Sequence, residues 1–182
     1  MVMDRSPICK LHDGGLAALR HINSGYKSYP GERFIMKKQE YLDLRKRHEL
    51  EVAEFPIAYA FNDEQLKEAL KKLGVESAKE CVTVFGHGDI VKRGDAKKFI
   101  DMLKRHTKEV KDALIADKDF AYAAFLHEMN NHEYCINYDG DGDVLGCFGL
   151  EWEDLEAYDL SLAYQLARRE HMRIAHEEWE VI

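Results

Sequence analysis

Two His-Glu pairs lie five residues apart in the segment 127–134, which reads HEMNNHEY. Imidazole and carboxylate groups bind metal ions and transfer protons near neutral pH. The HExxH motif of zinc proteases spaces its histidines by four residues, about 400° around a helix. Five residues instead turn roughly 500°, which separates the side chains by about 140°. The segment therefore does not match that motif.

Helical spacing brings a different pair of side chains together. Glu128 and His132 are four residues apart, so they lie on one helix face. With Glu133, they are the predicted catalytic residues, in which a carboxylate or imidazole would act as general acid or base beside a bound metal. The segment is equally typical of a capped helix end, where His meets the helix dipole and Asn131 ends the last turn. Both interpretations stay open.

A Gly-rich acidic turn, DGDGD, follows at residues 139–143. Alternate carboxylates on a tight turn can converge on one hard cation. Neither register of a calcium-binding loop fits, because a start at Asp139 puts Leu150 at the position of the bidentate Glu, and a start at Asn137 puts Phe148 there. The alternatives are a solvated polar turn and a Mg²⁺ or Mn²⁺ site that is shared with the preceding glutamates.

The tetrapeptide 86–89, GHGD, follows the clearest strand-forming run of the chain. Loops at such positions often present catalytic or phosphate-binding groups. The tetrapeptide lacks the glycine patterns of phosphate loops and dinucleotide-binding loops. A tight connection between two strands is therefore the simpler interpretation.

A basic run follows this loop and precedes the acidic part of the chain. Its cations could follow a phosphate backbone, neutralise the acidic segment or form a solvated helix face. An acidic pI near 5.6 argues against binding free DNA through bulk charge. The residues predicted to contact nucleic acid are Lys92, Arg93, Lys97, Lys104 and Arg105.

Charge is segregated along the chain. The formal net charge is −8, yet the segment from Asp119 to Ala167 contains no lysine or arginine and many carboxylates. Such a concentration of negative charge could bind a basic partner or a cation, lie against a basic face of the same molecule, or serve only solubility. The residues predicted to dock a basic partner are Asp139, Asp141, Asp143, Glu151, Glu153, Asp154 and Glu156.

Composition is that of a globular protein. Of 182 residues, 33% are charged and 46% are hydrophobic, which excludes a disordered chain. No run of eighteen apolar residues and no signal peptide is present, so we expect no membrane association and a location in the cytosol of the cell that makes the protein. Four cysteines without a CxxC pair predict reduced thiols and no zinc knuckle.

Hydrophobic periodicity predicts an α+β fold, mostly helical, around a two- or three-stranded sheet. Residues 1–35 read as an irregular arm and residues 36–182 as one domain. The predicted helices are 36–54, 63–73 (capped by Asn62 and Gly74), 95–116, 120–131 and a long C-terminal helix, 152–179. The predicted strands are 57–61, 81–85 and 90–91, and residues 139–149 are predicted to form a loop.

Two segments resemble a family of small uncharacterised proteins carried by phages and other mobile elements of Gram-positive bacteria. They are 84–108, which begins VFGHGDIVKRGD, and 125–134, with its E-x-x-N-H-E-Y pattern. The resemblance extends over about residues 55–156. The DGDGD turn and the N-terminal arm are less typical of that family.

Some proteins of this general type are anti-CRISPR proteins that disable Cas9-class effectors. The resemblance therefore implies an inhibitor that binds a Cas9-type nuclease, or its guide RNA complex, through an acidic surface, because such effectors hold nucleic acid in positive channels. One alternative is a metal-dependent nuclease or hydrolase acting on RNA, including guide RNA in the effector complex. The other is a non-enzymatic accessory interaction module. No cofactor is implied beyond Mg²⁺ or Mn²⁺.

Overall fold

Helices account for most of the described chain, which comprises residues 31–136 and 139–179 of a computed structural model. The predicted class, α+β and mostly helical, is confirmed. No helix within these two ranges is both long and apolar enough to cross a bilayer. The elements in order are α1 (Gly31–Glu54), β1 (Ile57–Tyr59), α2 (Asp63–Leu73), β2 (Cys81–Val82), β3 (Asp89–Lys92), α3 (Ala96–Ala116), α4 (Lys118–Asn131), α5 (Gly140–Gly146), α6 (Trp152–Ala157) and α7 (Ser161–Trp179).

The small sheet is antiparallel, with β3 between β1 and β2. Helix α2 packs against it, and both predicted caps of α2 are confirmed. Asn62 accepts a hydrogen bond from the N–H of Gln65 at 2.9 Å, and Gly74 ends the helix at a φ of 65°. The buried residues between α2 and the sheet are Ala58, Ala69, Leu73, Cys81 and Ile90.

Helix α4 is the centre of the fold. Its residues 120–126 are all buried, as expected for a helix that is apolar on every side. It packs against α7, α1 and α3, so its side chains meet residues distant in sequence. The segment HEMNNHEY begins on the last turns of this helix, which places its polar groups next to the core.

Helices α1 and α3 each carry one Arg-His-x-x-Glu pattern, and the two patterns bind each other. His48 Nε2 lies 3.0 Å from Glu109 Oε2, and His106 Nε2 lies 2.9 Å from Glu51 Oε2. The arginine before each histidine pairs with the same carboxylate. The two imidazole rings stack, 4.0 Å apart between centroids. We call this arrangement the histidine clamp.

The N-terminal prediction differs from the structure at its boundary. Helix α1 begins at Gly31, five residues before the predicted start, and the rest of the predicted arm, residues 1–30, lies outside the described residues. The first predicted strand ends at Tyr59. The second ends at Val82 because the N–H groups of Val84 and Phe85 donate to the Asp89 side chain instead of a neighbouring strand.

Two predictions for the acidic half were wrong. The predicted loop 139–149 contains helix α5, because Asp139 accepts from the N–H of Gly142 at 3.3 Å and Val144 and Leu145 are buried. The predicted C-terminal helix is two helices, α6 and α7. They are separated at residues 158–160, where Asp159 has a φ of 56°, a conformation that aspartate tolerates better than most residues.

Candidate metal centre

A buried carboxylate, Glu128, lies at the base of the candidate site. It belongs to α4 and is only 1% exposed. Its Oε1 accepts hydrogen bonds from the Tyr41 hydroxyl at 2.7 Å and from Arg45 Nη1 at 2.6 Å. Tyr41 and Arg45 are one helical turn apart on α1. Burial, followed by the hydrogen bond to Glu128, raises the pKa of Tyr41 far above its usual range, so the hydroxyl stays a donor.

The second oxygen of Glu128 lies beside two further donor groups. Oε2 is 3.4 Å from His132 Nε2, which confirms the predicted alignment of these two residues, and 3.4 Å from Asn131 Nδ2. Cys147 Sγ lies 3.2 Å from the same His132 nitrogen. The oxygen, nitrogen and sulfur atoms of Glu128, His132 and Cys147 all lie within 4.8 Å of one another.

The site opens to solvent on one side. Glu128 is buried, the His132 side chain is 34% exposed and Cys147 is exposed. Desolvation around the thiol, followed by the charge of Glu128, raises the pKa of Cys147 to about 11. His127 also borders the site, 3.9 Å from Glu128 Oε1, and burial lowers its pKa. A metal ion held by the three donors would therefore have a buried and an open side.

This arrangement differs from a cysteine nucleophile with a His-acid pair. Glu128 and Cys147 both approach Nε2 of His132, whereas a catalytic acid contacts the ring nitrogen opposite the nucleophile. The raised pKa of the thiol also disfavours the reactive thiolate. Three different donors within 4.8 Å of one another could hold a metal ion, and the sulfur and nitrogen donors suit Zn²⁺ better than Mg²⁺ or Mn²⁺.

The remaining predicted catalytic residue lies outside this cluster. Glu133 is exposed and has a φ of 49°, in the turn after α4. Its neighbour Tyr134 turns inward and donates a hydrogen bond to Asp141 Oδ1 at 2.7 Å. Tyr164 donates to the same oxygen at 2.6 Å. Asp141, predicted to dock a partner, thus holds α5 against α7.

Three of the other predicted docking carboxylates have local roles. Asp139 caps α5, and Glu151 and Asp154 form a capping box at α6. The side chain of Asp154 also lies 3.6 Å from Lys111 Nζ. The predicted docking residues that are exposed are Asp139, Asp143, Glu151, Glu153 and Glu156.

Among the predicted nucleic-acid contacts, most have intramolecular partners. Lys97 Nζ lies 2.5 Å from Asp101 Oδ2, and Arg105 belongs to the histidine clamp. Arg93 donates to the backbone carbonyls at positions 79 and 81. Of this set, Lys97 and Arg105 form ion pairs, and Lys92, Arg93 and Lys104 form none within the described residues.

The loop at residues 86–89 is organised by its own aspartate. Asp89 is 1% exposed and accepts hydrogen bonds from the N–H groups of Val84 at 2.6 Å, Phe85 at 3.2 Å and His87 at 3.3 Å. Burial alone would raise its pKa, yet these backbone donors lower it. Since the carboxylate occupies these donors, the loop is a tight connection here and does not present those N–H groups to a phosphate.

The profile of a family of unknown function, DUF7659, matches residues 40–170. The chain belongs to this family. The matched range includes Tyr41, Arg45, Glu128, His132 and Cys147, so every residue of the candidate centre lies within it. No curated protein and no solved structure matches the chain.

Sequence reasoning did not find three residues of the DUF7659 centre. Tyr41 and Arg45 are separated from Glu128 by more than eighty residues, and only the packing of α1 on α4 brings them together. Cys147 follows α5, a helix in a segment that the sequence predicted to be a loop. The spacing of Tyr41 and Arg45 on one helix face is a weak signal, and Cys147 has no local signal at all.

Proposed function

We propose that this DUF7659 protein binds a divalent transition metal, Zn²⁺ in the first place, through Glu128, His132 and Cys147. The observation that carries the proposal is the convergence of their oxygen, nitrogen and sulfur atoms within 4.8 Å. Zinc accepts all three donor types. Three protein ligands leave a fourth position for water or substrate, which is typical of catalytic rather than structural zinc sites.

The groups behind Glu128 support this role. Tyr41 and Arg45 both bind Oε1 and leave Oε2 directed toward His132 and Cys147. Outer partners of this kind orient a ligating carboxylate and maintain its charge. Binding requires the thiolate form of Cys147, so metal uptake would release its proton.

Hydrolysis is the chemistry that we propose for the bound metal, because zinc lowers the pKa of a coordinated water toward neutrality. Burial lowers the pKa of His127, the charge of Glu128 raises it, and the positive charges of Lys38 and Arg45 lower it by smaller amounts. Since Arg45 is paired with Glu128, Lys38 is the cation that would favour an anionic substrate. We therefore propose a phosphodiester such as RNA as the substrate class.

Zinc titration by calorimetry tests the metal site. The wild type should bind one equivalent, and Cys147→Ala should lose at least about 100-fold in affinity, beyond the roughly 10- to 100-fold cost of losing an outer partner. Cys135→Ala, a free cysteine outside the cluster, is the matched control. His132→Gln should lose zinc affinity in the same way, and His87→Gln, which changes an exposed histidine outside the cluster, is its control. Equal affinities of Cys147→Ala and Cys135→Ala would refute the site.

RNA cleavage is measured separately with the zinc-loaded protein. We expect cleavage that is lost in His132→Gln and retained in His87→Gln. Absence of cleavage with a correctly bound metal would remove the hydrolase proposal and leave the metal site intact.

A second candidate function is the inhibition of a Cas9-type effector in the bacterial cytoplasm. It is supported by the exposed Trp152, 49% accessible and flanked by the exposed Glu151, Glu153 and Glu156. Tryptophan is one of the residue types that most often dominate the binding energy of a protein interface. Binding to the effector with and without guide RNA should be weakened by Glu153→Lys with Glu156→Lys and unaffected by Glu76→Lys on another surface. Inhibition that the double variant retains in full would exclude this surface.

A further inference from the structure

A groove of about 640 Å³ lies between α3 and the β2–β3 loop. Two of its apolar side chains are well exposed, Phe85 at 55% and Ile100 at 38%. Exposed apolar surface inside a concavity is typical of an interaction site. The apolar side chains that line the groove, which we call its floor, are Val84, Phe85, Ile100 and Leu103.

One rim of the groove is positive. Lys104, Lys108 and Lys111 are spaced four and three residues apart, so they lie on one face of α3. Lys104 forms no ion pair with any described residue. Lys108 pairs with Asp112, but both side chains are mostly exposed, and such a surface pair is readily exchanged for another partner. The groove thus combines an apolar floor with available positive charge.

A complementary patch lies beside this groove. We call it the acidic tryptophan patch: Trp152 with Glu151, Glu153 and Glu156, all exposed at α6. Gly149, three residues before Trp152, lines the groove. Asp154 of the same helix lies 3.6 Å from Lys111 Nζ. Groove and patch therefore share one side of the molecule.

We propose that the groove binds the acidic tryptophan patch of a second copy of this chain. Trp152 of one copy would pack on Phe85 and Ile100 of the other, and its glutamates would pair with Lys104 and Lys108. Because the patch and the groove are neighbours, one two-fold axis forms both contacts at once and closes the assembly as a dimer.

Two other occupants fit less well. Residues 1–30 contain four lysines and arginines but only two aspartates, so their charge does not complement the lysine rim. Single-stranded RNA prefers a row of stacking aromatic rings, whereas three of the four floor residues are aliphatic. Charge and shape together favour the second copy.

Sedimentation equilibrium over a concentration series measures the dimer directly. Trp152→Ala, the groove variant Lys104→Glu with Lys108→Glu, and the patch variant Glu153→Lys with Glu156→Lys should each raise the dimer dissociation constant at least about 10-fold, or 1.4 kcal/mol. Lys67→Glu with Lys71→Glu on α2 is the charge-matched control and should have no effect. The free protein is used, so the result does not depend on the metal or on the effector proposed above.

Mixing the groove variant with the patch variant gives the decisive arm. In a two-fold dimer the mixed pair has opposite charges at both contacts, so heterodimers should form although each variant alone is mainly monomeric. A wild type that stays monomeric at all concentrations, or a dimer that Trp152→Ala and both reversals leave unchanged, would overturn the proposal. So would a monomer whose groove binds an RNA oligonucleotide in a Lys104-dependent manner.

Discussion

Asp89 and Glu128 are both 1% exposed, yet their carboxylates are satisfied in different ways. Asp89 receives backbone N–H groups from residues no more than five positions away. Glu128 receives short hydrogen bonds on Oε1 from α1, more than eighty residues away, whereas Oε2 accepts only a long one, 3.4 Å from Asn131 Nδ2. A buried carboxylate surrounded by its own backbone builds a loop. One whose short hydrogen bonds all go to one oxygen leaves the other better placed to bind a ligand.

The largest expected effect comes from Glu128→Gln. Arg45 would lose its partner, and we expect about 2 to 3 kcal/mol lower free energy of unfolding, less than for a fully buried pair because Arg45 is 37% exposed. Zinc affinity should fall more than about 100-fold as well. Urea unfolding and calorimetry measure the two effects. Glu133→Gln, which changes an exposed neighbour, is the control. Equal losses of stability and zinc affinity in the two variants would contradict the special role of Glu128.

The corresponding change in the loop, Asp89→Asn, should cost stability without affecting zinc. An amide cannot accept all three backbone N–H groups, so we expect a loss of about 1 to 3 kcal/mol. The folded-state pKa of Asp89 is lowered, so its contribution is present above the unfolded pKa near 4 and is lost as the pH falls through the folded value. The difference between variant and wild type should therefore shrink in acid. A constant difference down to pH 2 would contradict this.

Tyr41→Phe tests the hydrogen bonding of Glu128 Oε1 by itself. The variant removes one hydrogen bond to a buried charge and leaves Arg45 in place, so we expect about 1 to 2 kcal/mol of destabilisation. Zinc affinity should fall about 10-fold, because the carboxylate is oriented less firmly. Tyr59→Phe, at an exposed tyrosine, should change neither quantity.

The smallest expected effect concerns only the alkylation rate of the Cys147 thiol. With the pKa of Cys147 raised to about 11, its alkylation in the metal-free protein should accelerate about tenfold for each pH unit between 7 and 10. Peptide mapping by mass spectrometry separates this thiol from the other cysteines. Zinc should protect it. A rate that reaches a plateau by pH 8 would mean that the thiol ionises far more easily than its surroundings imply.

Local rules predicted the parts of this fold that depend on neighbours in sequence. Asn62 and Gly74 fixed both ends of α2, and the four-residue spacing placed His132 beside Glu128. Helix α5 was not predicted because its three glycines have low helix propensity and leave only Val144 and Leu145 as buried side chains, too few for a periodic pattern.

The rest of the candidate centre depends on tertiary packing. Tyr41 and Arg45 reach Glu128 only because α1 lies against α4, and Cys147 reaches His132 only because α5 turns back over the end of α4. No spacing in the sequence encodes either approach. A pattern-based search therefore finds the carboxylate and the imidazole of the site, and it does not find the sulfur or the outer donors.

The histidine clamp also determines whether Tyr41 and Arg45 are correctly placed at Glu128. Its four contacts are made by α1 residues two to six positions after Arg45, and they fix that helix in one register against α3. A slip of a single residue would shift α1 by about 1.5 Å and rotate it by about 100°. Every clamp contact would then break together, and Tyr41 and Arg45 would leave Glu128 in the same movement. Alignment of the centre is thus an all-or-none property.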